Sequence, residues 1–449
     1  MRPTHNVWHL FNLRGSPFFQ DILGSGEDAR YPLDLFVGRE AEAHHLLQVI
    51  QSEEESRQIV EGPAGFGKTT LLEYVKAQAR ELGYLSNPDE VRLGSADTTA
   101  VLLQRLLSYV YEIVVANGDS TTHDIDAVEQ ARRVCRLARL HDVTGVQGGF
   151  ATFAAGATRD VSYVNADAVS PLIVIPPLLK ALGVVVRDHV GARGVLVHIN
   201  DLENATQAEQ SRAGLLLRDV RRQLISHGYH FIFVGTSEAV RNIVTAHDQL
   251  RSVFMTLPKP LGALKPDEFA LLLERRYDYL RLDGSAPVRP PVEHEVVSFL
   301  YDLFAGDLRG VLVALNQAAH TLIGYGVDTD APMTMTDVHA VLRGIYLNEA
   351  ARDLEGPVGG YFQQLAGHDD RPFTQAELTE LWNLSQSQVS EHLGTMEGKG
   401  YVASTRTGPR ALQYTLTARA RLALSAGVSG SRLSDSKTPR ALPAPDPEP

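Results

Sequence analysis

Gly62-Pro63-Ala64-Gly65-Phe66-Gly67-Lys68-Thr69-Thr70 decides the fold of this 449-residue chain. It satisfies Gly-x-x-x-x-Gly-Lys-Thr in full, and each fixed position has a physical task. The glycines let the backbone turn so that successive N–H groups face one anion. Lys68 neutralises the β- and γ-phosphates of a nucleotide, and the Thr69 hydroxyl is a ligand for Mg²⁺. The helix that starts here adds its positive end. The flanks agree: Ile59 and Val60 read as a strand before the loop, and Leu71, Leu72 and Val75 as an apolar helix face after it. Gly62 through Thr70 are therefore the expected nucleotide-binding residues, with ATP and Mg²⁺ as cofactors.

Working outward, β-rich runs alternate with helical patterns from Phe36 to about Pro258, the sign of a three-layer α/β domain with a mostly parallel sheet. The predicted strands are Arg57–Glu61, Gly194–Ile199 and His230–Gly235. Residues 1–35 read as an irregular lead-in, with Phe18 and Phe19 docking it on that domain. Residues 261–350 are mainly helical. Gly-Pro and Gly-Gly pairs near Gly356 mark a linker. Residues 351–425 form a third domain, and 426–449, rich in Ser, Gly and Pro, are expected to be disordered. Val146–Asn165, small and polar around several glycines, reads as an inserted β-hairpin. It is either a surface decoration or a ligand or subunit contact.

The apolar run Val195-Leu196-Val197-His198-Ile199 ends in Asn200-Asp201-Leu202-Glu203. Phosphoryl chemistry needs a carboxylate at such a strand end to hold Mg²⁺ through water, and a second to orient the attacking water. The usual pair of acids is broken here by Asn200. If Asn200 takes the metal side, Asp201 orients the water and Mg²⁺ is held weakly. If the register shifts by one, Asp201 serves the metal and Glu203 the water. Asp201 is essential in both readings, and slow turnover is expected.

Upstream, Phe36-Val37-Gly38-Arg39-Glu40 stands at a spacing from the phosphate loop that resembles the AAA+ ATPases, especially their origin-recognition and replication-initiator branch. That resemblance covers roughly residues 30–425 and implies the fold class: an AAA+ P-loop core, a helical lid and a winged-helix domain. It puts Phe36, Val37 and Gly38 near the adenine. It makes Thr236, with Ser237 close behind, the polar sensor at the end of the strand His230–Gly235. It makes Arg309, in Gly306-Asp307-Leu308-Arg309, the lid arginine that senses the phosphates. Arg251, with Arg241 second, is the arginine offered to a neighbour's nucleotide, which implies an ATP-dependent homo-oligomer. A plain surface role for either arginine stays open.

Near the C-terminus, Thr374-Gln375-Ala376-Glu377 and Ser385-Gln386-Ser387-Gln388 each have the capping-box form that starts a helix. Two β runs follow, Tyr401–Arg406 and Ala411–Leu416. This resembles MarR-like winged helices. Gln386, Ser387, Gln388, Ser390 and His392 would then face the major groove, with Arg406 and Arg410 on the wing against phosphates. Lys399 to Arg421 holds five basic residues and no acid. The second helix is hardly basic, so protein contact stays the alternative.

Composition sets outer bounds. A net charge of −12 excludes a chain that coats nucleic acid by bulk electrostatics, so double-stranded DNA must be met by a local patch. The single cysteine, Cys135, excludes an internal disulfide and suits a cytoplasmic setting. Met1–Leu13 lacks the pattern of a signal peptide, and Pro171–Val186 is short and proline-broken for a membrane span. The expectation is a slow AAA+ ATPase that couples nucleotide state to duplex DNA. The alternatives are an ATP-gated transcription regulator or signalling switch, and a scaffold whose winged helix never touches DNA.

Overall fold

The computed structural model describes residues 6–24, 29–94, 97–144, 170–200, 207–222, 228–254, 259–324, 331–367, 371–406 and 412–426. They group into two compact units, one of Ile22–Gly262 and the other of Met1–Asp21 with Ala263–Pro449. Val146–Asn165, proposed as a hairpin, lies outside the described residues, as do Asp201, Glu203 and most of the 426–449 tail.

The first unit runs α1 (Glu40–Ser52), β1 (Ser56–Glu61), α2 (Lys68–Glu81), β2 (Tyr84–Ser86), β3 (Val91–Arg92), α3 (Thr99–Asn117), α4 (Ser120–His123), α5 (Asp126–Thr144), α6 (Pro171–Asp188), β4 (Gly194–Asn200), α7 (Gln207–Asp219), β5 (Tyr229–Gly235), α8 (Ser237–Val240), one π turn (Arg241–Thr245), α9 (Asp248–Arg251) and β6 (Lys259–Pro260). The strands pair in the order β2-β4-β5-β1-β6, all parallel, with β3 beside β4. Parallel strands need crossovers, and the helices that supply them cover both faces. Alternation along each strand divides the faces. Ile59, Val195, Val197, Ile199, Phe231 and Phe233 join Leu103, Leu107, Val110, Leu179 and Leu182 of α3 and α6 in one core. On the other face, Gln58 Nε2 donates to the Leu46 carbonyl of α1.

The three predicted strands are present, each extended by one residue. Helix α6 departs from expectation by running unbroken through Pro176 and Pro177. Those rings deprive the carbonyls of Leu172 and Ile173 of amide partners. Both residues are exposed, so water can serve them. Among the described residues, one helix, α3, is long and apolar enough to cross a membrane. It spends its apolar face on α6 and the sheet.

Among the described residues, two buried histidines should make this unit acid-sensitive. Burial, aided by the charge of Arg57, lowers His230 to about 4. Burial, with Lys76 nearby, lowers His198 to about 3. Each must fold neutral, while the unfolded chain binds a proton below 6.5. Their contribution is therefore complete above pH 6.5 and is lost as pH falls towards the folded values. Urea unfolding should show a loss on the order of 2 kcal/mol per histidine between pH 7 and pH 5. An unchanged midpoint in His230→Gln and wild type alike would remove that assignment.

The second unit contains α10 (Pro266–Leu280), α11 (His294–Leu303), α12 (Leu308–Gly324), α13 (Met335–Asp353), α14 (Pro357–Gln364), β7 (Phe373–Thr374), α15 (Gln375–Trp382), α16 (Gln386–Gly398), β8 (Val402–Arg406), β9 (Leu412–Leu416) and α17 (Ala418–Leu424). The first part of the lead-in, up to Asp21 and including Phe18 and Phe19, belongs here and not to the α/β unit, contrary to expectation, while the rest of it, from Ile22, groups with the α/β unit. Phe18 is buried edge-on to Trp8, and the Arg276 guanidinium lies 3.9 Å over the Phe19 ring while donating to the carbonyls of Pro17 and Phe19. A sequence pattern shows that two phenylalanines need burial, but not which helix offers the cation.

The stretch after Gly356, predicted as a linker, is helix α14. Pro357 is favourable at its first position because that N–H has no helical partner. Gly359 allows the close approach that a Cβ, 2.7 Å from the Leu354 carbonyl, would block. Strands β7, β9 and β8 form an antiparallel sheet beside α15 and α16, and both predicted capping boxes are made.

Candidate nucleotide site

The phosphate loop leaves β1 at the carboxyl edge of the sheet, between β5 and β6. Open α/β sheets bind ligands at such a change in strand order. Its base is pinned on both sides: Gly62 N donates to the Gly235 carbonyl at 3.2 Å, and Leu261 N to the Glu61 carbonyl at 2.6 Å. A Cβ on Gly62 would stand 3.0 Å from the Leu261 carbonyl. Gly65 and Gly67 have φ of 82° and 81°, in the left-handed region. A Cβ on Gly67 would meet nothing within 4 Å, so its φ, and not crowding, asks for glycine, and the space beside it is open. Pro63 and Ala64 are exposed, Phe66 is half-buried, and Thr69 and Thr70 stand on the first turn of α2. Lys68 is buried and its Nζ donates to the carbonyls of Gly62 at 2.9 Å and Pro63 at 2.8 Å. A turn of amides around a folded-back ammonium fits a polyphosphate, which offers stronger acceptors than the two carbonyls.

The structure places the other predicted residues as follows. Phe36 and Val37 are buried, and the Phe36 ring stacks on Tyr74 of α2 at 4.1 Å, so one of its faces is taken within the chain. Gly38 has φ of 77°, and its amide donates to Glu40. Arg39, passed over in the sequence, is buried and ties this turn to the Gly262 carbonyl and to Glu42. Asn200 ends β4 and its amide Nδ2 donates to Glu90 at 2.7 Å. Thr236 caps α8 by accepting from Ala239 N. The hydroxyl of Ser237 instead serves Glu61, the residue just before the loop. Burial pushes the Glu61 carboxyl above its ordinary value, opposed by that hydroxyl and by the charge of Arg241. Arg241 thus acts on its own chain's phosphate-loop strand. Nothing in a local pattern pairs residues 61 and 241; the parallel register Glu61↔Gly235 does. Arg251 is exposed at the end of the short α9.

On the second unit, Asp307 is the N-cap of α12, accepting from Gly310 N at 3.0 Å, and Arg309 is exposed on the first turn. Gly306 has φ of 80°, and a Cβ there would lie 2.3 Å from that of Ala263. The Gly-Asp pair therefore builds the corner that presents Arg309.

On α16, Gln386, Ser387, Gln388 and Ser390 are exposed, and Gln388 closes the capping box on Ser385. His392 does not point outward as expected: its ring stacks on Tyr361 of α14 at 5.1 Å. It lies one turn beyond the buried Val389, and α14 fills the place assigned to a linker. Arg406 ends β8, and Arg410 lies outside the described residues. Two of the five basic residues counted in the sequence work inside the unit. Arg419 pairs with Glu349 at 2.5 Å, and Arg421 donates to the Leu416 carbonyl.

A phosphate loop on a parallel sheet, followed by a helical segment and a helix-turn-helix with a β-hairpin, defines the class: a P-loop α/β protein. Solved structures that resemble it include three from two organisms. Orc1 of Aeropyrum pernix in complex with DNA is 16% identical with a TM-score of 0.44, covering 87% of this chain and 92% of that one. Orc2 of the same organism, solved with ADPNP and ADP, is 17% identical with a TM-score of 0.45, covering 91% and 95%. Cdc6p of Pyrobaculum aerophilum is 12% identical with a TM-score of 0.39, covering 91% and 95%. No protein-family model and no curated protein matches the chain. Likenesses this distant say nothing of ligand or activity, which rest on the residues described above.

Proposed function

We propose that the protein is a cytoplasmic, slowly turning ATPase whose nucleotide state governs DNA binding by its C-terminal domain. The observation that carries this is the phosphate loop: Gly65 and Gly67 turned left-handed, Lys68 buried at its centre, and helix α2 starting beneath it. The amides of residues 62–69 would grip the β- and γ-phosphates, and Lys68 would release its two carbonyls to join them. Magnesium would neutralise phosphate charge, held near the Thr69 hydroxyl. Strand parity favours Asn200 on the metal side. His198, two residues earlier, lies on the α2 face near Lys76, while Val197 and Ile199 face the opposite core. Asp201 is then the residue that orients the attacking water, and Glu203 is held in reserve by the other register. An amide where a carboxylate is usual makes for weak metal binding and slow turnover. Thr236 and Arg309 are the proposed sensors of phosphate. Arg251 is the proposed trans arginine, and a chain that keeps its solution size on binding ATP would remove it from the site.

For the reader domain, the exposed Gln386, Ser387 and Ser390 would meet base edges, with Arg406 and Arg410 on the wing against phosphates. ATP turnover should be slow and should change on adding duplex DNA. Arg406→Ala should weaken duplex affinity and lower the slope of log K against log salt by about 1. No duplex affinity at low salt would sink the DNA reading. Protein contact is the second reading. It is favoured by the internal use of Arg419, Arg421 and His392, and by the stretch Gln386–Glu391 of α16, which carries an acid and no cation.

A further inference from the structure

The weak point of the proposed site is Asn200, an amide where phosphoryl chemistry wants a negative charge. The structure brings a carboxylate to it from a part of the chain 110 residues away. Glu90 stands just before β3, which pairs with β4 in the register Val91↔Ile199 and Arg92↔Asn200. Its Oε2 accepts from Asn200 Nδ2 at 2.7 Å, and its Oε1 from Arg92 Nε at 2.9 Å. Leu93 N donates to the Asn200 carbonyl, so the backbone of the same strand fixes the distance.

The chemistry of the pair orients the amide. A carboxylate only accepts, so the end of Asn200 turned to Glu90 must be the NH₂. Oδ1 is then the end left to accept from another donor, such as a metal-bound water. Height along the sheet agrees. The parallel registers Ile59↔Phe233 and Ile199↔Phe233 put Asn200 level with Val60, two residues short of the phosphate loop at Gly62.

We propose that Glu90 is a positioning residue of the magnesium-nucleotide site, holding Asn200 with Oδ1 presented to the metal's water shell and lending the charge that Asn200 lacks. This rests on the nucleotide reading above. It makes the acid at this site a residue contributed by the edge of the sheet and not by the acidic strand itself.

The test is a magnesium titration of ATP binding, followed by displacement of a fluorescent ATP analogue, on the full chain. Glu90→Ala should raise the magnesium concentration for half-maximal binding about tenfold, the size of a lost charge-assisted hydrogen bond. Affinity for ATP in EDTA should stay within about twofold. Glu90→Gln, which keeps the volume and an acceptor for Asn200, should fall between Glu90→Ala and wild type and guards against a folding defect. In an Asn200→Ala background, Glu90→Ala should add nothing, because its partner is gone. An unchanged magnesium response in both single variants, equal losses with and without magnesium, or additive effects in the double variant would each overturn the proposal. Wild type that binds no nucleotide even in EDTA would instead sink the reading on which it rests.

Discussion

Lys68→Ala should abolish ATP turnover and weaken ATP binding by about 30- to 100-fold, the equivalent of roughly 2–3 kcal/mol for charge-assisted hydrogen bonds. Lys68 is buried, and its Nζ already stands on the carbonyls of Gly62 and Pro63, at the centre of the loop. Removing it leaves the amide turn in place, so some phosphate affinity should persist, but the share of the β- and γ-phosphate charge that the ammonium offset is then left to magnesium and the start of α2. The protein itself should stay folded. The loop's base is held by Gly62 N on Gly235 and Leu261 N on Glu61, neither of which involves the lysine. Calorimetric ATP binding, turnover and a thermal melt on the same samples separate these effects. Full turnover in the substituted chain would remove the loop from the chemistry.

Arg276→Ala should destabilise the unit that carries the helical segment by about 2–4 kcal/mol. The guanidinium is buried, donates to two carbonyls of the lead-in, and covers Phe19. Its loss leaves buried acceptors without their donor and opens a space beside an aromatic ring. Because residues 1–21 group with 263–449, the effect should appear as release of the lead-in, read by limited proteolysis ahead of Ile22, together with a lower melting temperature. Arg276→Lys should recover little, since one ammonium replaces a planar fork that both bonds and stacks. A melt within a degree of wild type and an intact lead-in would show that these contacts contribute nothing measurable.

Local chemistry makes much of this protein legible in its sequence. The phosphate loop could be read because its requirements are carried by adjacent residues: glycines for positive φ, one lysine, one hydroxyl, a strand before and a helix after. The three main strands of the core and the two capping boxes of α15 and α16 were legible for the same reason, since alternation and capping act over two to four residues. Those elements determined the class of fold. The tertiary structure decided what depends on which distant residues meet. Glu61 is buried against Ser237 and Arg241 because β1 and β5 pair in one register. His392 is spent on Tyr361 because α14 fills the supposed linker. Phe18 and Phe19 of the lead-in follow Arg276 and not the α/β sheet. Asn200 acquires the carboxylate of Glu90 across two strands whose pairing no local pattern states. Hydrogen bonds and ion pairs act over about 3 Å, while the residues that make them lie tens to hundreds of positions apart, so only the folded chain can choose the partners.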